Sequence, residues 1–193
     1  EQVTQSREKN GYYGRFVEKI IPPAYAQFII FGDVHGSLHS LTRDLEELAQ
    51  QGIIDNTFKL TKDDTYLIFN GNVIDLSPYI LETLTLVLDL MRNNPTRVIY
   101  IRGKHEEKEF WYNFGLRQEL EIKARKFASE RIPLDSLIKG FFNTLPLAYY
   151  LVQHNGSTID VVRISPTDRR NSEIDEQQLS NFFEQNNNNP DIF

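Results

Sequence analysis

Residues 28–36 read FIIFGDVHG, and this stretch decides the fold. Its apolar half predicts a buried strand that ends at Gly32, and apolar residues then recur at helical spacing from residue 38 to residue 48. Asp33 and His35 therefore follow the carboxyl end of the strand, and side chains two residues apart on an extended tip leave on the same side. A carboxylate and an imidazole that point the same way are typical of a divalent metal site. A glycine-rich turn with incidental polar residues is the alternative that these residues leave open.

The composition predicts one folded domain with its own core. The chain has 193 residues, of which 40% are hydrophobic, and its net charge of −6 argues against sequence-independent nucleic-acid binding. It contains no cysteine, so disulfides and thiolate metal ligands are excluded, and the cellular compartment is left open. No apolar run approaches the roughly 20 residues that cross a bilayer.

Two further strands are predicted to end in polar clusters, as the first strand does. Residues 66–69 are followed by the cluster 70–75, and residues 98–101 by the cluster 102–106. Helices between the strands complete repeated β-α-β units, which imply a parallel sheet with helices on both faces. The carboxyl ends of such strands gather at one edge of the sheet. We therefore expect six polar side chains to converge at this edge: Asp33, His35, Asn72, Asp75, Lys104 and His105.

Capping and turn residues predict the limits of the other elements. Gly52 ends the first helix, and Ser77, with Pro78 behind it, begins the second. Residues 106–131 are charged and aromatic, which favours a further helix. Two β-rich runs, 147–153 and 157–164, flank the Asn155-Gly156 pair and predict a β-hairpin.

The motifs resemble those of the metallophosphoesterases, specifically the phosphoprotein phosphatase family of calcineurin-like Ser/Thr phosphatases. The family's GDxHG, GDxxDRG and GNHE motifs correspond to GDVHG at 32–36, GNVIDLS at 71–77 and GKHE at 103–106. FNTLPLA at 142–148 is similar to the FNxLPLA stretch that precedes a hairpin in the family. The resemblance implies the α/β calcineurin-like metallophosphoesterase fold, β-α-β units with strand-end motifs and a later hairpin. It also implies two divalent metals that activate a water for attack on phosphorus.

The same resemblance divides the chain into three parts. We expect an N-terminal arm at 1–25 with an amphipathic piece at 12–21, and a metallophosphoesterase-like domain at 26–165. A polar tail at 166–193 follows, which we expect to be mobile. Because the chain begins at Glu1 rather than Met, we expect a fragment or a processed form, and truncation at its carboxyl end stays an open alternative.

The resemblance implies a role for each motif residue. Asp33 and His35 would bind the first metal, and His105, supported by Asp75, would be the general acid for the leaving alkoxide. The bridging carboxylate of the second motif is replaced by Asn72. Three further positions depart from the family: the asparagine ligand of the second metal is Lys104, the phosphate-binding arginine is Leu76, and Arg163 stands near the place of a metal histidine after the hairpin.

These changes predict that no full dinuclear centre forms. A neutral amide supplies no charge to two cations, and a protonated amine repels them. We expect Lys104 to occupy the second-metal position, held by Asp33 or Asp75. We expect either no metal or one divalent ion of the Mn, Fe or Zn class at a partial site formed by Asp33, His35 and Asn72.

The functional prediction is a degenerate phosphatase, a pseudoenzyme that serves interaction or assembly with a protein partner. The alternative is a metal-dependent phosphoesterase that hydrolyses phosphate monoesters, either active or inactivated by engineering at Asn72 and Lys104. A nucleotide-binding α/β protein is a third reading, which lacks a phosphate-binding glycine loop. For His105 a purely packing role stays open. The other histidines, His39 and His154, are predicted to lie on the surface and in the hairpin turn.

Overall fold

The computed structural model describes residues 17–124, 134–155 and 158–166. The strands are β1 Val17–Ile20, β2 Gln27–Phe31, β3 Thr65–Phe69, β4 Val98–Tyr100, β5 Ala148–Asn155 and β6 Thr158–Ile164. The helices are α1 Leu38–Gln50, α2 Ile80–Asn93, α3 Lys108–Trp111, α4 Leu116–Ala124 and α5 Leu134–Asn143. Within these residues no helix is both long enough and apolar enough to span a membrane.

The strands β2, β3 and β4 form a parallel sheet in that order, with Phe31 beside Phe69 and Phe69 beside Tyr100. The predicted β-α-β units are therefore confirmed. Because these strands run in the same direction, their carboxyl ends and the three motif loops lie at one edge of the sheet.

The two faces of this sheet are covered differently. On one face Leu67 and Phe69 of β3 pack into a cluster with apolar residues of α1 and α2. On the other face Tyr66 and Ile68 pack against residues of the second sheet, among them Tyr149. The prediction of helices on both faces is wrong, because the apolar residues of the second sheet cover the face that a helix would otherwise take.

The second sheet has the order β1-β5-β6. The predicted hairpin is confirmed, since β5 and β6 pair antiparallel with Asn155 opposite Thr158. Asn155 thus belongs to the strand rather than to the turn, and residues 156–157 lie outside the described part. β1 pairs parallel with β5 through Val17 and Ala148. Residues 17–20 of the expected arm are therefore part of a sheet, a pairing that no local pattern in the chain indicates.

Helix ends follow the prediction in one case and depart from it in another. α1 ends at Gln50, and Gly52 lies just beyond its C-cap with φ +67°, where its N–H donates to the carbonyl of Ala49 at 2.9 Å. α2 begins at Ile80 rather than after Ser77. Its cap is the Glu119 carboxylate of α4, which accepts hydrogen bonds from the N–H groups of Ile80 at 2.9 Å and Leu81 at 3.2 Å. The negative charge at the amino end of α2 is favourable for the helix dipole.

The described part of the segment predicted as one helix over 106–131 contains two helices, α3 and α4. Gly115, with φ +141°, lies between them in a backbone conformation that favours glycine. Residues 125–133 lie outside the described part.

Candidate functional site

The loops that follow β2, β3 and β4 are joined by backbone contacts. The N–H of His35 donates to the carbonyl of Asn72 at 2.9 Å, which fixes the first loop against the second. The second and third loops meet at Gly71 and Gly103, where a Cβ added to Gly71 would lie 2.6 Å from the Cα of Gly103. Only glycine allows this approach. Asn72 has φ +51°, a left-handed conformation that Asn and Asp tolerate better than most residues.

Glu106 is a buried carboxylate that organises the site. It is 1% exposed, and its two oxygens accept four hydrogen bonds. The donors are Asn72 N at 2.9 Å, Val73 N at 2.9 Å, Gly103 N at 2.7 Å and the Tyr100 hydroxyl at 2.7 Å. Burial raises the pKa of Glu106, while its hydrogen bonds with Tyr100 and the backbone act in the opposite direction. Glu106 therefore holds the second and third loops together.

Sequence reasoning gave Glu106 no role. The available signal was its position directly after His105 in the third motif, where a carboxylate can turn back to the N–H groups of the loops.

The side-chain amide of Asn72 lies between the first and third loops. Its Nδ2 donates to Oδ1 of Asp33 at 3.2 Å, and its Oδ1 accepts the backbone N–H of His105 at 3.2 Å. Both polar atoms of the amide are therefore used within the protein. A carboxylate at this position would face Asp33 with a second negative charge.

Asp33 and His35 lie side by side, as predicted. Oδ2 of Asp33 is 3.7 Å from Nε2 of His35, and the Asp33 side chain is 57% exposed. His35 Nδ1 lies 3.3 Å from the carbonyl oxygen of Ile74, so a proton on Nδ1 would leave the Nε2 lone pair on the side of Asp33. Oδ2 of Asp33 and Nε2 of His35 are therefore the possible ligands of a single ion. Among the described residues, no group of three His, Asp or Glu side chains could hold a metal.

His105 and Asp75 also come together as predicted. Nδ1 of His105 lies 3.0 Å from Oδ2 of Asp75, and the other oxygen of Asp75 accepts the N–H of Leu116 at 3.1 Å. Asp75 is fully buried, so it fixes the orientation of the imidazole. The ring of His105 packs edge-on against that of His35 at a centroid distance of 4.7 Å.

Lys104 does not form the predicted ion pair with Asp33 or Asp75. Its Nζ lies 4.7 Å from the centroid of the Phe110 ring, which is the geometry of a cation–π contact. The physical reason is that Asp33 is engaged by Asn72, and Asp75 is buried against His105 and Leu116.

The remaining predicted positions lie around the site or away from it. Leu76 is 65% exposed and has φ +60°. Arg163 lies in β6, paired in register with Tyr150, and its side chain is outside the described part. His39 is exposed, as predicted. His154 lies in β5 opposite Ile159 rather than in the turn, because the strand extends two residues beyond the predicted run.

A dinuclear metal centre does not fit these residues. At the motif position where the family has a bridging carboxylate, Asn72 carries no negative charge, and its Nδ2 has no lone pair for a metal. At the motif position where the family has the asparagine ligand, Lys104 has no lone pair while it is protonated, and its Nζ lies over the Phe110 ring. Within the described part of the chain, Asp33 and His35 leave a partial site of two side chains for one ion.

Comparison with known proteins places the chain in a family. The calcineurin-like phosphoesterase family model matches residues 26–193, so the chain belongs to the calcineurin-like phosphoesterases. Within them it belongs to the phosphoprotein phosphatases. It is 32% identical over 131 residues to the Candida albicans serine/threonine-protein phosphatase PP2A-like PPG1, which covers 68% of this chain and 26% of that protein. It is 32% identical over 102 residues to the Saccharomyces cerevisiae serine/threonine-protein phosphatase PP1-1, a match that covers 53% of this chain and 30% of that protein.

Solved structures agree on the fold. A protein serine/threonine phosphatase from Saccharomyces cerevisiae superposes with a TM-score of 0.55 at 17% identity, covering 78% of this chain and 44% of that one. A cold-active protein-tyrosine phosphatase of a Shewanella species gives a TM-score of 0.53 at 15% identity, and the superposition covers 92% of this chain and 53% of that one. The chain thus spans about half of these structures and, in the curated matches given above, 26% and 30% of the relatives.

Proposed function

We propose that this phosphoprotein-phosphatase-like domain has lost its hydrolytic chemistry and serves interaction or assembly with a protein partner. The observation that carries the proposal is the Asn72 amide, hydrogen-bonded to Asp33 on one side and to the His105 backbone on the other. Two metal ions would need a bridging negative charge at this position, and Asn72 is neutral. Its amide instead compensates Asp33 by a hydrogen bond, in place of a bound cation.

Two further substitutions support the same conclusion. Lys104 brings a positive charge to the motif position of a metal ligand. Leu76, an exposed apolar residue, stands where the family has an arginine that donates two hydrogen bonds to the phosphate. Each group that stabilises transition-state charge is typically worth about a hundredfold in rate or more. Loss of the bridge, the second ion and the arginine together removes several orders of magnitude.

A slow single-metal phosphoesterase is the second candidate, and one observation favours it. His105 keeps its buried partner Asp75 at 3.0 Å, as a general acid would require, beside the Asp33–His35 pair. In that case the ion would supply Lewis-acid chemistry, while His105 would donate the proton to the leaving oxygen.

Metal content and turnover test the proposal together. Protein expressed and dialysed with manganese is analysed by elemental mass spectrometry, and p-nitrophenyl phosphate hydrolysis is measured beside the His105→Ala variant. We expect fewer than two equivalents of metal and the same background rate in both proteins. Two equivalents with turnover that disappears in His105→Ala would overturn the proposal, whereas one equivalent with slow, His105-dependent turnover would establish the second candidate.

A double variant adds a check on the cause. Asn72→Asp with Lys104→Asn restores the metal-binding residue types at both positions. Because the phosphate-binding arginine is still absent, we expect more bound metal but little turnover. Full recovery of turnover would show that the loss resides in these two positions alone.

A further inference from the structure

A groove runs along the seam between α1 and α2. It consists of two neighbouring depressions, which share Thr42 and Leu86 among their lining residues. On α1 the lining extends from Leu38 to Ala49, a length of about 16 Å at the helical rise of 1.5 Å per residue. The motif residues discussed above do not line it.

The floor of this groove is apolar, and the wall that closes one end, formed by Phe58, is held in place by hydrogen bonds. Leu38, Leu81 and Leu86 are only partly buried, and Phe58 closes one end. Phe58 has φ +61°, a left-handed conformation that is unfavourable for an aromatic residue. Such strain persists only where neighbouring contacts enforce it.

Several hydrogen bonds hold this strained loop. Oδ1 of Asp55 accepts the backbone N–H groups of Thr57 at 2.8 Å and Lys59 at 3.0 Å, and Asn94 Nδ2 donates to the Phe58 carbonyl at 2.7 Å. The Phe58 wall is therefore formed in advance of any ligand, which reduces the entropy lost on binding.

The rim of the groove is acidic. Among the described residues, the carboxylates that line it are Glu46, Asp55, Glu82 and Asp89, and no lysine or arginine lines it. Glu82 is paired with Lys123, and Asp89 with Arg92. In the part of the chain that the structure describes, neither Glu46 nor Asp55 forms an ion pair, although hydrogen bonds from Thr57 and the Lys59 backbone, together with the positive charge of nearby Lys59, lower the pKa of the Asp55 carboxyl. The free negative charge is thus concentrated at the end that contains Phe58.

We infer that this groove binds a basic amphipathic helix supplied by a protein partner. About three turns of helix match its length, apolar side chains three and four residues apart would reach Leu86 and Phe58, and lysines or arginines beside them would meet Glu46 and Asp55. This site does not depend on whether the motif loops retain any hydrolytic activity.

A peptide panel tests the inference by fluorescence polarisation. The probe is a fluorescein-labelled, twelve-residue helical peptide of leucine and lysine with its leucines on one face. Its controls are a scrambled peptide of the same composition and a peptide with glutamate in place of lysine. We expect saturable binding of the amphipathic basic peptide alone; equal binding of the scrambled peptide, or no saturable binding of any peptide, would overturn the inference.

Matched variants locate the binding. Glu46→Lys should raise the dissociation constant at least about fivefold, while Glu47→Lys, the same change at an exposed position that does not line the groove, should leave it within about twofold. Ala49→Trp should block one end of the groove, with Gln50→Trp as its control. All four positions are exposed, and thermal melts verify that each variant folds. Equal effects of Glu46→Lys and Glu47→Lys would show attraction to net charge only and would contradict a groove site.

Discussion

The substitution Asn72→Asp tests whether the neutral amide of Asn72 compensates the negative charge of Asp33 where the three motif loops meet. Asp tolerates the left-handed backbone of this position almost as well as Asn, and its Oδ1 can still accept the His105 N–H. The change therefore alters one contact, the 3.2 Å hydrogen bond from Nδ2 to Asp33, and converts it into two facing carboxylates.

The magnitude follows from this distance. Losing a hydrogen bond to a charged acceptor costs about 1.5–3 kcal/mol. Two unit charges at 3.2 Å repel by about 1 kcal/mol in water and about 5 kcal/mol at an effective dielectric constant of 20. Because the Asp33 side chain is 57% exposed, the repulsion lies near the lower figure, and we expect a total loss of about 3 kcal/mol in the free energy of unfolding.

Urea denaturation with EDTA measures this loss, with Gln118→Glu as a control that makes the same amide-to-carboxylate change on an exposed face of α4. Added manganese should recover part of the stability of Asn72→Asp by binding the new carboxylate pair, and it should leave the control unchanged. If Asn72→Asp unfolds at the same urea concentration as the control in EDTA, the Asn72–Asp33 contact does not neutralise the site and the reasoning fails.

Three other predictions concern buried carboxylates. Glu106→Gln leaves at least one of the four hydrogen-bond donors without an acceptor. It should therefore lower the free energy of unfolding, measured by urea denaturation, by about 2–5 kcal/mol, whereas the exposed control Glu109→Gln should lower it by less than about 0.5 kcal/mol. Burial raises the pKa of Glu106 above its ordinary 4.5, so its contribution to stability is full below that pH and declines as the pH rises. The difference in unfolding free energy between the wild-type chain and Glu106→Gln should therefore narrow as the pH rises above 4.5, and a widening difference would contradict this. Glu119→Gln weakens the cap of α2 and should cost about 1 kcal/mol, with faster amide exchange at Ile80 and Leu81 that Glu121→Gln does not produce.

The sequence by itself determined the β-α-β core and the edge where the site lies. Apolar runs of strand length alternate with helical periodicity, and parallel strands bring the ends of β2, β3 and β4 together whatever fills the rest of the molecule. The contacts of Asp33 with His35 and of Asp75 with His105 follow from that topology. The residues that depart from the family pattern, Asn72 among them, are likewise visible in the sequence.

The tertiary structure alone decided how these residues are held. Glu106 binds N–H groups 33 and 34 positions away in sequence, and Glu119 caps a helix that starts 39 positions earlier. Local patterns do not encode such pairings, because they depend on which loops the folded sheet brings within hydrogen-bond distance. The same limit explains the wrong partner predicted for Lys104. Its ammonium lies over Phe110 because the carboxylates it was expected to meet were already bound to other groups.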